Sequence, residues 1–455
     1  MTSTEQRRAW FRASRAATLT ALGASVAAVA TLLTPRVAAL GADTPSTVTF
    51  TKDVAPILQK SCQSCHHPGT AAPMSLLTYE DVRPWAKSIK ARVAAREMPP
   101  WHLDKTVGIR EYKNDISLSD AEINTITRWV DNGAAQGDPK DMPQPLTFRP
   151  ETDWFIGKPD LLVTFDKEMT MYANGPDWWI NKFADTGLTE DRYIKAMQIK
   201  PGNPKIVHHV VTSIMPPEGA DPNDPAFAGG TLEEYAVGKY GDIYPDDTGR
   251  LLPAHSRIAF DMHYFASGEE AKDRTTLGIV FYPKGYVPKY KITMLSFRNL
   301  PNDDLAIPPN TITRRDGYFR LPRAARIVEF QPHMHMCGKG MTLESINLDN
   351  TVTVLSSVDH FFFNWHIAYV YKDDVAPLLP AGTVLHIIGI HDNTPGNRLN
   401  PDSLMWAGYG ERSVDDMLQC WLGVVYLDDN EYQAEVAARK AKVQQQPLTQ
   451  GHQQQ

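Results

Sequence analysis

The sequence predicts a multidomain protein, with a small all-α domain followed by two all-β domains of the jelly-roll-like antiparallel sandwich type. Three observations predict it. After residue 47, a helix-patterned stretch carries the motif Cys62-Gln-Ser-Cys65-His66 and closes on Gly133. A proline-rich segment at 138–152 then separates that stretch from the rest. From Lys158 onward, short runs of alternating apolar and polar residues recur between Pro, Gly, Asn and Asp turns, which is the texture of antiparallel sheets.

The length of 455 residues exceeds one hydrophobic core. With 42% hydrophobic and 22% charged residues the chain has the make-up of a folded globular protein. A net charge of -7, without a basic run beyond residue 40, excludes a nucleic-acid partner.

Residues 1–40 read as a signal peptide. Arg7, Arg8, Arg12 and Arg15 precede the apolar run from Ala16 to Leu33, and Val37-Ala-Ala39 offers a small-x-small cleavage site. A retained N-terminal anchor is the other reading, because the run approaches bilayer-spanning length. No other stretch is apolar enough to span, so the expected location is periplasmic or otherwise exported, with no stable membrane insertion unless the leader is kept.

In the first domain, 48–140, a short helix from Phe50 to Ser61 delivers Cys62. Cys-x-x-Cys-His attaches haem c through two thioethers, with His66 as the proximal ligand. A thioredoxin-like dithiol would need a βαβ context, and a zinc site would need a second cysteine pair. The chain offers neither. Met74, Met98 and His102 are candidates for the sixth iron position. Met98 is preferred, because Pro99 and Pro100 stiffen its loop. His67 is expected to face solvent. Ser119-Asp-Ala-Glu122 is a capping box opening a helix with Ile123, Ile126, Trp129 and Val130 on one face.

The β domains are expected at 153–300 and 301–430, followed by a polar tail over 431–455. In the second, the run Ala325-Arg-Ile-Val-Glu-Phe330 leads to His333-Met-His335. Residues two apart in a strand share a face, so both imidazoles can reach one metal. In the first, His208 and His209 are adjacent and point to opposite faces of a strand, so both reach one ion only if the backbone twists or bulges or different ring nitrogens are used. His263 lies on another alternating run. Of the four cysteines, Cys337 and Cys420 are left as a possible disulfide.

The order His208-His209-Val-Val, Met-His263-Tyr, His333-Met-His335-Met-Cys-Gly-Lys and Asp-Asp-Met417 resembles the type II copper monooxygenases, the peptidylglycine α-hydroxylating and dopamine β-monooxygenase family, over about residues 155–430. The resemblance implies two copper ions, one on His208, His209 and His263 and one on His333, His335 and Met417, facing each other across a solvent-filled cleft. It implies that the second centre is catalytic, hydroxylating an sp³ C–H of a small organic substrate with O₂. The haem would then bring electrons from a periplasmic donor. A Cys337–Cys420 bond would tie His335 to Met417. Gln331 and Pro332 stand where the peptide-hydroxylating branch carries a substrate-binding arginine, which argues against amidated peptides. The alternative is a periplasmic electron-transfer or copper-binding protein without monooxygenase activity. Tyr264 is read either as orienting a ligand imidazole or as core. Packing is the expected role of His360, His366, His386 and His391, and core the expected role of Phe361-Phe-Phe-Asn-Trp365.

Overall fold

The computed structural model describes residues 47–445, apart from 71, 151–152, 222–223, 225–226, 228–229, 237–238 and 299–304. The leader and the end of the polar tail therefore lie outside the described residues. Among the described residues, no helix is long and apolar enough to cross a membrane.

The fold is mostly β, a jelly-roll-like antiparallel sandwich. Its backbone is one ten-stranded sheet. From one edge run Leu161–Thr164, Thr276–Phe281, Arg192–Lys200, Thr248–Leu252, Tyr290–Arg298, Gln419–Leu427, Ala324–His333 and Tyr369–Val370, with two short strands paired off this path. Two four-stranded sheets cover it. Trp178–Asp185, Arg257–Tyr264, Val207–Met215 and Thr231–Ala236 form the first. Ile312–Arg320, Val384–Asp392, Gly338–Ile346 and Val352–Val358 form the second.

Alternation explains the layering, because residues two apart share a face. Ile194, Met197, Val210, Phe260 and Met262 meet between the layers of the first half. Ile327, Phe330, Leu422, Met341 and Ile387 do so in the second. The halves are joined through the sheet itself, where Tyr290 and Lys291 pair in parallel with Thr248 and Gly249.

The expectation of a separate all-α domain is corrected. Helices at Ala55–Ser61, Tyr79–Val82, Ala86–Ala94 and Asp120–Asp131 do gather around Phe50, Leu58, Ile126 and Trp129. However, the chain from Thr47 onward is one compact unit. Between the helices, Trp101, Leu103 and Tyr112 are buried in the core of the second sandwich. Leu103 bridges Val358, Tyr112 bridges Tyr371, and the Tyr112 hydroxyl lies 2.8 Å from Ser356 Oγ. The helical segment thus completes a β core.

The capping box forms as the sequence expects. Ser119 Oγ accepts from the Glu122 N–H at 3.3 Å, and Glu122 Oε2 accepts from the Ser119 N–H at 2.8 Å. Ser119→Ala should cost about 1 kcal/mol, read as a lowered urea midpoint with unchanged slope.

Candidate functional site

Val207–Met215 and Arg257–Tyr264 are neighbouring strands, and their register slips between Val207 and His209. That bulge removes the objection to adjacent histidines, because it turns both rings toward His263. His208 Nδ1 and His209 Nδ1 are 3.2 Å apart, and His263 Nδ1 lies 3.3 Å from His209 Nδ1. Ligand atoms of the three residues all lie within 4.8 Å of one another. Asp177 approaches His263 Nε2 at 3.0 Å, and Trp179 stacks on the same ring at 4.1 Å. Such an outer carboxylate fixes the tautomer and orientation of a metal-binding imidazole.

Burial, then the neighbouring imidazoles, pushes His208 down to about 3 and His209 well below the ordinary histidine value. Burial also lowers His263, against the pull of Asp177. The trio is therefore neutral at pH 7, the form that binds metal.

His333 ends the strand Ala324–His333, and both it and His335 are buried. Among the His, Cys, Asp and Glu side chains of the described residues, the group that closes on His333 is Glu234 and His366. His335 Nδ1 is buried without a hydrogen-bond partner, and burial lowers the ring's pKa. Met417 is half-buried, with its N–H 2.7 Å from Asp416 Oδ1. The two histidine groups adjoin, with ring centroids of His209 and His333 6.1 Å apart and those of His208 and His366 6.0 Å apart. The solvent-filled cleft implied by the resemblance is here a single imidazole cluster. Phe363, stacked on His208 at 5.0 Å, forms one wall of it.

Asp416, a residue the sequence reading passed over, holds the His333–Cys337 turn. Its carboxylate accepts from the N–H groups of His335 at 3.1 Å and Cys337 at 2.9 Å, and lies 3.3 Å from His391 Nδ1. The expected Cys337–Cys420 disulfide is corrected. Both are free thiols. Cys337 packs with Leu305, Ile307 and Ala407, while Cys420 lies in the core of the second sandwich. The backbone bonds to Asp416 do the tying that the disulfide was expected to do.

Cys62, Cys65 and His66 line a broad cavity of about 3250 Å³, along with Met74, Leu76, Ile89, Val93 and Met98. His66 Nδ1 lies 3.1 Å from the carbonyl of Met74, which leaves Nε2 as the free nitrogen. Two thiols, one directed imidazole and an apolar lining fit a covalent haem. Met98 is half-buried at the cavity edge and precedes a cis proline. Cys65 Sγ is 3.4 Å from the hydroxyl of Tyr240, which lies in the segment following Thr231–Ala236.

The remaining histidines divide. His386 contacts Asp316 and Glu344 at 2.8 and 3.1 Å and stacks on Tyr318, as packing expects. His360 is exposed beside Asp359. His67 is half-buried and stacks on Phe148, where solvent was expected. Tyr264 donates to Asp273 at 2.8 Å and is core. His366 is drawn into the cluster, as is Glu234, whose carboxylate accepts from the amide of Gln331. In the sequence Glu233 and Glu234 are only two adjacent acids, and it is their burial in the fold that marks them.

No family model matches the chain. No curated protein matches it either. Solved structures similar to it include the major capsid protein P2 from bacteriophage PM2, at 11% identity over 59% of this chain and 98% of that one, with a TM-score of 0.28. They also include the STIV MCP, at 7% identity over 61% and 99% with a TM-score of 0.24. A third is infectious bursal disease virus VP2 in a subviral particle, at 11% identity over 62% and 75% with a TM-score of 0.17. Likeness at this level carries no argument about what the chain does. No family model or curated protein supports the copper monooxygenase family, and the expectations of membership in it and of copper-dependent hydroxylation of an organic substrate by O₂ are corrected.

Proposed function

We propose that the chain is an exported electron-transfer and copper-binding protein, without monooxygenase activity, carrying haem c on Cys62, Cys65 and His66 and copper on His208, His209 and His263. The observation that carries this reading is the convergence of three neutral imidazoles on one point, brought together by a bulge in the Val207–Met215 strand. Three imidazoles suit copper. Bound haem and copper would each supply a one-electron centre. The residues of the chain do the rest. Asp177 and Trp179 orient His263, Met74 directs His66, and Tyr240 holds the attachment motif against the β sandwich. The motif's wide, open cavity gives a periplasmic protein donor a place to approach.

Two measurements test this. Protein exported from the cell should keep its haem through acid–acetone extraction, and Cys62→Ala/Cys65→Ala should lose it entirely; extractable haem in the unaltered protein would sink the reading. Metal-depleted protein should take up Cu(II) at the three-imidazole site, and His263→Ala should weaken that uptake at least tenfold.

A further inference from the structure

We propose that Glu234, His333 and His366 form a second metal site that takes a divalent first-row cation of the zinc type and links the two halves of the β structure. It shares no ligand with the three-imidazole site and does not rest on the copper reading.

Geometry comes first. One ligand atom from each residue lies within 4.8 Å of the others, and the residues are only 2%, 3% and 2% exposed. They come from three distant places: the outer strand Thr231–Ala236 of the first half, the end of Ala324–His333, and the segment after Phe361-Phe-Phe-Asn-Trp365.

Unmet polar atoms point the same way. Glu234 Oε1, His333 Nδ1 and both ring nitrogens of His366 are buried without a hydrogen-bond partner. His366 Nδ1 and Glu234 Oε1 are 3.6 Å apart, too far for a hydrogen bond and well placed for two ligands of one ion. Native proteins leave few such groups unsatisfied, and a cation meets several at once. The other carboxylate oxygen, Oε2, accepts from Gln331 Nε2, which leaves Oε1 directed into the group. Metal-binding carboxylates carry this kind of support.

Donor chemistry selects the ion. Two imidazoles and a carboxylate suit zinc and its divalent neighbours, whereas Cu(I) favours thioether and thiolate sulfur. The single negative charge of Glu234 also offsets part of a dication's charge in a buried place.

The test uses the full, haem-bearing chain, stripped of other metals and titrated with Zn²⁺ against a chromophoric chelator. Unaltered protein should bind Zn²⁺ at this site with a rise in thermal midpoint. Glu234→Gln keeps the side chain's shape and should weaken one binding event at least tenfold, and His366→Gln should do the same. His263→Ala should leave that event unchanged. Binding that survives both Glu234→Gln and His366→Gln, but is lost in His263→Ala, overturns the site while leaving the copper reading intact. Binding lost in Glu234→Gln and kept in His263→Ala supports the site whatever the fate of the copper reading. The midpoint rise in unaltered protein needs no variant to fold, and its absence overturns the proposal.

Discussion

An Asp416→Ala variant is expected to lose about 3–5 kcal/mol of unfolding free energy, the cost of breaking a buried charged network by removing one partner. Asp416 is fully buried. Burial alone would push its carboxyl up, but His391, His335 and the surrounding donors outweigh this and hold it below the ordinary aspartate value. It is therefore an anion whose charge is met inside the protein. Truncating it orphans the N–H groups of His335 and Cys337 and leaves His391 without its partner. Asp416→Asn keeps the shape and loses the charge, so it should recover part of the loss. Urea unfolding of metal-free protein is the measurement. A change below about 1 kcal/mol in the alanine variant, the worth of one ordinary hydrogen bond, would show that the turn does not depend on this residue.

The second large effect is acid lability of the metal-free protein. His209 and His333 both sit well below the ordinary value of 6.5, chiefly through burial, and His208 is pushed down to about 3. The sign follows from proton counting. Below pH 6.5 the unfolded chain takes up protons on these residues and the folded chain does not, so stability falls as the pH drops. The loss begins near 6.5 and for His208 continues to about 3, at about 1.4 kcal/mol per pH unit for each such group. Urea midpoints at pH 8, 6 and 5 in the presence of a chelator should therefore fall steeply. A His209→Asn variant should show a shallower fall by about one group's share. Equal slopes in the two proteins would contradict the assignment, as would a flat profile from pH 7 to 5. Bound metal opposes the loss, because protonated imidazole cannot be a ligand.

What the sequence made legible was local. Ser119 and Glu122 lie three residues apart, and their reciprocal capping follows from that spacing alone. The alternating run Ala325–Phe330 became the body of the strand Ala324–His333. Even the problem of His208 beside His209 was visible, and of the solutions open to it, a twist, a bulge or different ring nitrogens, the strand uses a bulge. The missing pieces are those that only tertiary packing creates. Nothing near His366 separates it from His386, yet one meets Glu234 and His333 while the other is held by Asp316 and Glu344. Glu234 comes from the strand Thr231–Ala236, and Asp416 holds the turn after His333 from the segment ahead of Gln419–Leu427. The motifs named a family because their order along the chain matched it. Order does not fix which side chains converge, and Cys337 and Cys420, near neighbours of the same ligands, lie in different cores.

The long sheet has a consequence for biosynthesis. Gln419–Leu427 is flanked on one side by Tyr290–Arg298 and on the other by Ala324–His333, antiparallel to both. Until this late segment leaves the ribosome or the export channel, two strands made much earlier stand with open edges and no partner between them. Contacts so far apart in sequence close slowly. The half-made chain is thus at greatest risk of self-association just before this segment is made. Products cut short anywhere before residue 419 should be found aggregated, whatever metals or haem they have been offered.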